Sequence, residues 1–180
     1  MNEDMQIIES FKKYLPTVKG WINNLLRQYS SDSKRISSLG FDRLLHYFSQ
    51  EILDSAKVVI INKPPMIPLS SMGLVQFKDF EGLDIVGITY FDTIFIRKDY
   101  ADQESIYFHE LVHVIQWNHL GIDKFLLMYG LGLLKYGYDN SPLETLAYKL
   151  QEDFEKVSQP WDIEEQIIPV LDEVIRNLFN

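Results

Sequence analysis

Apolar residues recur at helical spacing through most of this chain and change to strand spacing only in a central stretch. Glu3 to Leu15 is weakly amphipathic and is closed by Pro16. From Val18 to Tyr29, the residues Trp21, Ile22, Leu25, Leu26 and Tyr29 share one helical face. Ser30 to Ser38 is polar and reads as a linker. Phe41, Leu44, Leu45, Phe48 and Ile52 predict a third helix over Phe41 to Ala56, with His46 off its apolar face and therefore on the surface.

The pattern changes at Lys57. Val58 to Ile61 is a short buried strand. Asn62 to Pro68 contains three prolines, which a ladder does not accept, and is loop. Gly73 to Phe77 is expected as a further strand. Asp84 to Tyr90 and Thr93 to Arg97 are rich in β-branched and aromatic residues and predict two strands turning at Phe91-Asp92. Helical spacing then returns. Phe108, Leu111, Val112 and Ile115 form an apolar face, Asp99 and Asp102 are N-cap candidates, and Gly121 is a stop. Ile122 to Tyr136 is helical although Gly130 and Gly132 weaken it. Pro142 to Val157 and Asp162 to Phe179 complete the chain, with Pro169 expected to kink or split the last helix. The order is helices (residues 1–56), a small and mostly antiparallel sheet (57–98), then helices (99–180). That is a single α+β domain.

Composition narrows the chemistry. With 180 residues, 46% of them hydrophobic, the chain can bury a core without staples. It has no cysteine, so any metal must be held by His, Asp or Glu. The acidic N-terminus does not resemble a signal peptide, and the longest apolar run, Phe125 to Leu134, is too short to span a bilayer. A cytoplasmic protein without a membrane partner is expected. The net charge of -9 argues against nucleic acid and favours neutral or basic polypeptide as partner.

The chain has four histidines, and two of them form H-E-x-x-H in Phe108-His109-Glu110-Leu-Val-His113. Histidines at i and i+4 lie about one turn apart on one helix face, so their imidazoles can converge on one ion. Zinc suits neutral imidazole and leaves a position open for water. Glu110 projects roughly 100° around the helix from His109, beside that ion, where it can take a proton from a water whose pKa the metal has lowered.

A catalytic zinc site needs a third protein ligand. Glu144, in Asn140-Ser-Pro-Leu-Glu-Thr-Leu-Ala-Tyr148, falls in the first turn of a helix that Ser141 can cap and Pro142 can open. The same spacing is also a capping box, in which Glu144 would bond only the cap's own N–H. His119 is the alternative. It holds the last position of H-E-x-x-H-x-x-G-x-x-H, but Gln116 occupies the glycine slot. If the helix continues through Gln116, His119 points about 120° away from His113.

The stretches Phe108 to Gln116 and Ser141 to Tyr148 resemble the zincin metallopeptidases. Within them they resemble the gluzincin branch, where H-E-x-x-H is completed by a glutamate from a later helix. They are similar to small bacterial H-E-x-x-H proteins classed with the metallopeptidases. The resemblance spans Thr89 to Gln151. In Glu144-x-x-Ala147-Tyr148, Tyr148 replaces the aspartate that such families carry. The resemblance implies a zincin-like fold and one Zn²⁺ per chain on His109, His113 and Glu144. It also implies Glu110 as general base and hydrolysis of a polypeptide substrate. A strand ahead of the motif helix would pair with that substrate at a sheet edge, and Thr93, Ile94, Phe95 and Ile96 are the candidates; the alternative for them is an ordinary core strand. Tyr129, Tyr136, Tyr138 and Tyr148 are candidate donors to the oxyanion, and Tyr148 alternatively supports a ligand. Pro64 to Pro68 is placed to cover the cleft. The rival class is a non-catalytic protein-binding module on the same scaffold, which would close its metal site or lack one.

Overall fold

Residues 3–156 and 159–179 are described by a computed structural model. α1 (Glu3–Lys12) is followed closely by α2 (Leu15–Gln28), which begins three residues earlier than the periodicity suggests. Pro16 sits in the first turn of α2, where its missing N–H costs nothing, so it opens this helix. The expected linker contains a two-residue strand, β1 (Lys34–Arg35), which adds to the sheet. The helix expected over 41–56 is instead a 3-10 turn (Leu44–His46) and a short α3 (Gln50–Ser55). Ser49 separates them. It takes extended backbone angles and its hydroxyl accepts from the Ile52 N–H, a new N-cap inside the apolar stripe. His46 is exposed, as expected.

The sheet contains β1, β2 (Lys57–Ile61), β3 (Gly87–Tyr90) and β4 (Thr93–Arg97) in the order β1-β2-β4-β3. β1 and β3 pair antiparallel with their neighbours, while β2 and β4 run parallel, so the sheet is mixed. Thr93, Ile94, Phe95 and Ile96 therefore do not form an edge. They lie between β2 and β3 and their ladder is taken on both sides. Phe95 packs on Tyr29, the C-cap of α2, at 5.5 Å, and Ile94 and Ile96, on the opposite face, are equally buried. Burial of both faces accounts for the unbroken apolar run. The hairpin turn is strained at Phe91 (φ 58°), whose ring is held 4.8 Å from Trp117. No strand forms at 73–77. Gly73 takes φ 107°, outside any strand conformation, and Val75–Phe77 is a 3-10 turn.

α4 (Glu104–Tyr136) is two helical arms joined at Gly121, which leaves helical geometry at φ 71°, ψ 165°. Its N-cap is Gln103 rather than Asp99 or Asp102, and no side chain caps it. α5 (Pro142–Lys156) and α6 (Ile163–Phe179) pack against α4. Val157, the expected end of α5, lies outside the described residues. Asp162 accepts from the Glu165 N–H, and α6 runs through Pro169 without splitting. Tyr47 centres an aromatic cluster, with Phe108, Phe154 and Trp161 at 5.6, 5.1 and 4.7 Å. Phe108 stacks on Phe154 at 4.4 Å, which clamps the back of the motif helix to α5. No helix among the described residues is long and apolar enough to cross a membrane.

Candidate metal centre

The clamp sets the face opposite Phe108 towards the first turns of α5. There His109, His113 and Glu144 meet, all buried, with one ligand atom from each within 4.8 Å of the others. The two Nε2 atoms are 3.1 Å apart, and the Glu144 oxygens lie 3.4 Å from His109 Nε2 and 3.5 Å from His113 Nε2. This group could hold a metal ion. The capping-box alternative for Glu144 is not adopted: the Ser141 hydroxyl is buried without a partner, and the Glu144 carboxylate turns to the imidazoles.

Hydrogen bonds around the rings fix their protonation. His113 Nδ1 is 2.8 Å from Gln116 Oε1, and Gln116 Nε2 donates to the Leu143 carbonyl at 3.0 Å. His109 Nδ1 is 3.0 Å from Gln151 Oε1, and Gln151 Nε2 donates to Glu155. Each glutamine offers an acceptor, so each Nδ1 is the donor and each neutral ring turns a bare Nε2 inward. Two lone pairs and a carboxylate then face one another, and Glu144 Oε2 has no hydrogen-bond partner at all. Such a convergence calls for a cation. Without a metal the cation is a proton: burial opposes charge on His113, but Glu144 outweighs it and pushes His113 up to about 9. Burial likewise works against the Glu144 carboxylate, and the two imidazoles, His113 foremost, overcome it and hold Glu144 well below the usual range.

Glu110 is buried beside the cluster and is not part of it. Its Oε2 accepts from the Thr89 hydroxyl on β3 at 2.7 Å. Burial raises its pKa, partly offset by His109, His113 and the Thr89 bond. Gly87 makes room for it, since a Cβ there would lie 2.9 Å from Glu110 Cδ and overlap Oε1. A cleft of about 330 Å³ reaches Glu110 and His109 and is also lined by Gly87, Tyr138, Tyr148 and Gln151. β3 is the strand that borders it. Val86 O accepts from Arg97 N on the β4 side, and Thr89 O accepts from the Trp117 indole on the other. Backbone groups alternate along a strand, so those of Gly87 turn away from β4, towards the cleft.

The remaining sequence candidates separate. The helix continues through Gln116, and His119 instead bonds Asp172 of α6 at 2.8 Å on the surface, so it is no ligand of this cluster. Tyr129 donates to Glu144 Oε1 at 2.7 Å and steadies that carboxylate. Tyr136 is exposed and lines neither cavity. Tyr148 lays its ring 4.5 Å from His109, is hydrogen-bonded to Tyr138, and borders the cleft. Met66 and Ile67 of the proline-rich loop do not border that cleft; they line a second, apolar cavity. Sequence reasoning missed Gln116 and Gln151 as the partners of the two Nδ1 atoms. Gln151 lies two turns beyond Glu144, on the face already identified, and that spacing was its signal.

Gln116→Ala is expected to lower metal affinity by about 10–100-fold, the usual cost of losing a histidine's outer partner. Gln116 steadies His113 and, through Leu143, the turn carrying Glu144. Competition against a chromogenic chelator measures the effect; unchanged affinity would show that Gln116 only fills space. No family model, curated protein or solved structure matches this chain.

Proposed function

We propose that the protein is a zinc-dependent metallopeptidase of zincin-like fold. The observation that carries this reading is the convergence of two imidazole nitrogens and one carboxylate at the spacing of ligand atoms on one ion. Bonds of about 2.0–2.1 Å to a tetrahedral ion place neighbouring ligand atoms about 3.3 Å apart; here the two Nε2 atoms are 3.1 Å apart, Glu144 Oε2 is 3.4 Å from His109 Nε2 and Glu144 Oε1 is 3.5 Å from His113 Nε2. His₂Glu is a ligand set of catalytic zinc, in which water holds the fourth position. The cleft at His109 and Glu110 supports an open site rather than a closed structural one, and so favours the enzyme over a binding module.

When bound, zinc supplies a lowered water pKa and a Lewis acid for a carbonyl oxygen. The chain's residues do the rest. Gln116 and Gln151 hold each ring, by its Nδ1, in the orientation that turns Nε2 towards the ion. Glu110 takes a proton from the attacking water and passes it to the leaving amine. Gly87 pairs with the backbone of an extended substrate and leaves its side chains free to vary. Tyr148, held by Tyr138 at the cleft wall, is placed to donate to the oxyanion.

The reading is tested by metal and activity together. Purified protein is expected to bind one Zn²⁺ per chain and to melt at higher temperature with zinc, since an ion that binds only the native state stabilises it by mass action. Hydrolysis of unstructured neutral or basic polypeptides should stop with chelator and return with zinc. Elemental analysis without zinc, and no thermal shift on titration, would remove the reading.

A further inference from the structure

Glu144, Tyr148, Gln151 and Glu155 recur along α5 at the spacing of a single helix face. The stripe runs outward from the cluster. Glu144 is buried against the imidazoles, and Tyr148 lays its ring 4.5 Å from His109. Gln151 Oε1 lies 3.0 Å from His109 Nδ1, and Glu155 is exposed.

The two imidazoles are therefore anchored at different depths. A glutamine amide has an acceptor end and a donor end, and whatever holds the donor end decides which end meets the histidine. The donor end of Gln116 is given to the Leu143 carbonyl at 3.0 Å, inside the protein. The donor end of Gln151 is given to the Glu155 carboxylate at 3.3 Å, at the surface. Glu155 does little for its own helix. It stands in the last turn of α5, where the helix dipole disfavours a carboxylate, and Lys156 closes on Glu152 instead. Among the described residues Gln151 is the hydrogen-bond partner of its carboxylate.

We propose that Glu155 is a positioning residue of the metal centre. By taking the Gln151 amide N–H it aims the Gln151 carbonyl at His109 Nδ1, and so the His109 Nε2 lone pair at the ion. The proposal rests on the metal-site reading for its consequence. An amide turned the other way would offer an N–H to Nδ1. The neutral ring would then accept there and carry its proton on Nε2, where the ion has to bind. Lysine at position 155 would impose that arrangement, because it has donors and no acceptor and draws the Gln151 carbonyl outward. His113 is insulated from such a change, since a backbone carbonyl holds Gln116.

The test compares Glu155→Lys, Glu155→Gln and Glu152→Lys. Lysine suits the last turn of a helix, so a defect in Glu155→Lys would not come from a weakened α5. Zinc affinity, measured by competition against a chromogenic chelator, is expected to fall by about 10-fold or more in Glu155→Lys, the scale of a disturbed outer partner. Glu155→Gln keeps an acceptor and should bind like wild type. Glu152→Lys makes the same change of charge on the same helix and should bind like wild type too. In a Gln151→Ala background, Glu155→Lys should have no further effect. NMR of the metal-free protein supplies the signature: the neutral His109 ring should carry its proton on Nδ1 in wild type and on Nε2 in Glu155→Lys. Equal affinity in wild type and Glu155→Lys would overturn the proposal. So would an equal loss in Glu155→Gln or Glu152→Lys, or a loss that persists without Gln151. If wild-type protein binds no zinc, the metal-site reading fails and the His109 tautomer decides by itself: a proton moved to Nε2 in Glu155→Lys supports the positioning role, and an unchanged tautomer overturns it.

Discussion

Glu144→Ala is expected to abolish stoichiometric metal binding, while His119→Ala leaves it intact. Glu144 contributes the one carboxylate of the cluster, and its oxygens lie 3.4 and 3.5 Å from the two Nε2 atoms. Without it two imidazoles remain, fewer protein ligands than a catalytic zinc site carries, and the loss should go well beyond the 10–100-fold caused by removing an outer partner. Metal-free Glu144→Ala should also be less stable by about 1–3 kcal/mol, because the half-buried Tyr129 hydroxyl and the two buried imidazoles lose their neighbouring carboxylate. His119→Ala removes only a partly exposed pair with Asp172, an interaction of about 0–1 kcal/mol. Elemental analysis and calorimetric titration of both variants decide the matter. Full zinc occupancy in Glu144→Ala would return Glu144 to a structural role.

The meeting of His109, His113 and Glu144 was legible because it depends on local geometry. The i, i+4 spacing of His109 and His113, the proline-opened helix presenting Glu144, and the missing glycine at Gln116 are all short-range facts, and each determines where one side chain points. The strand Thr93–Arg97 was legible for the same reason. Its place in the sheet was not. Strand order depends on the parallel pairing of Lys57–Ile61 with Thr93–Arg97, residues more than thirty positions apart in sequence, and no local pattern encodes it. The one available signal was the unbroken burial of Thr93, Ile94, Phe95 and Ile96, which marks an interior strand rather than an edge. The consequence for the site is that its bordering edge is β3. Gly87 and Thr89 lie there, one leaving space for the Glu110 carboxylate and the other holding it.

The 41–56 stretch shows the opposite error. Its periodicity is helical, yet Ser49 competes for the backbone and restarts the helix, and Leu45 ends up half exposed. The consequence is packing: Tyr47 and Phe48 both reach Phe108, directly behind His109. Gln116 and Gln151 were hidden for another reason. The residue type carries no signature of a histidine's partner: spacing alone pointed to Gln151, and only the fold shows that Gln116 spans from His113 to the carbonyl of Leu143.

Glu110→Gln is expected to reduce peptide hydrolysis by about 10²-fold or more while zinc remains bound, since general-base loss costs on that scale. The amide keeps the shape of the side chain, and its oxygen can still accept from Thr89 as Glu110 Oε2 does at 2.7 Å. What it cannot do is accept a proton. Metal content should not change, because Glu110 lies outside the His109, His113, Glu144 group. Stability should hold or rise, because a buried carboxylate is replaced by a neutral group that is easier to desolvate. Three measurements on one variant therefore separate the roles: zinc per chain, melting temperature with and without zinc, and kcat/KM. Loss of activity with both other quantities preserved assigns the proton transfer to Glu110. Loss of zinc as well would make Glu110 a ligand. Equal activity in wild-type and variant protein would mean that the hydrolysis belongs to a contaminant, and the cleft at His109 and Glu110 would then be a binding surface rather than an active site.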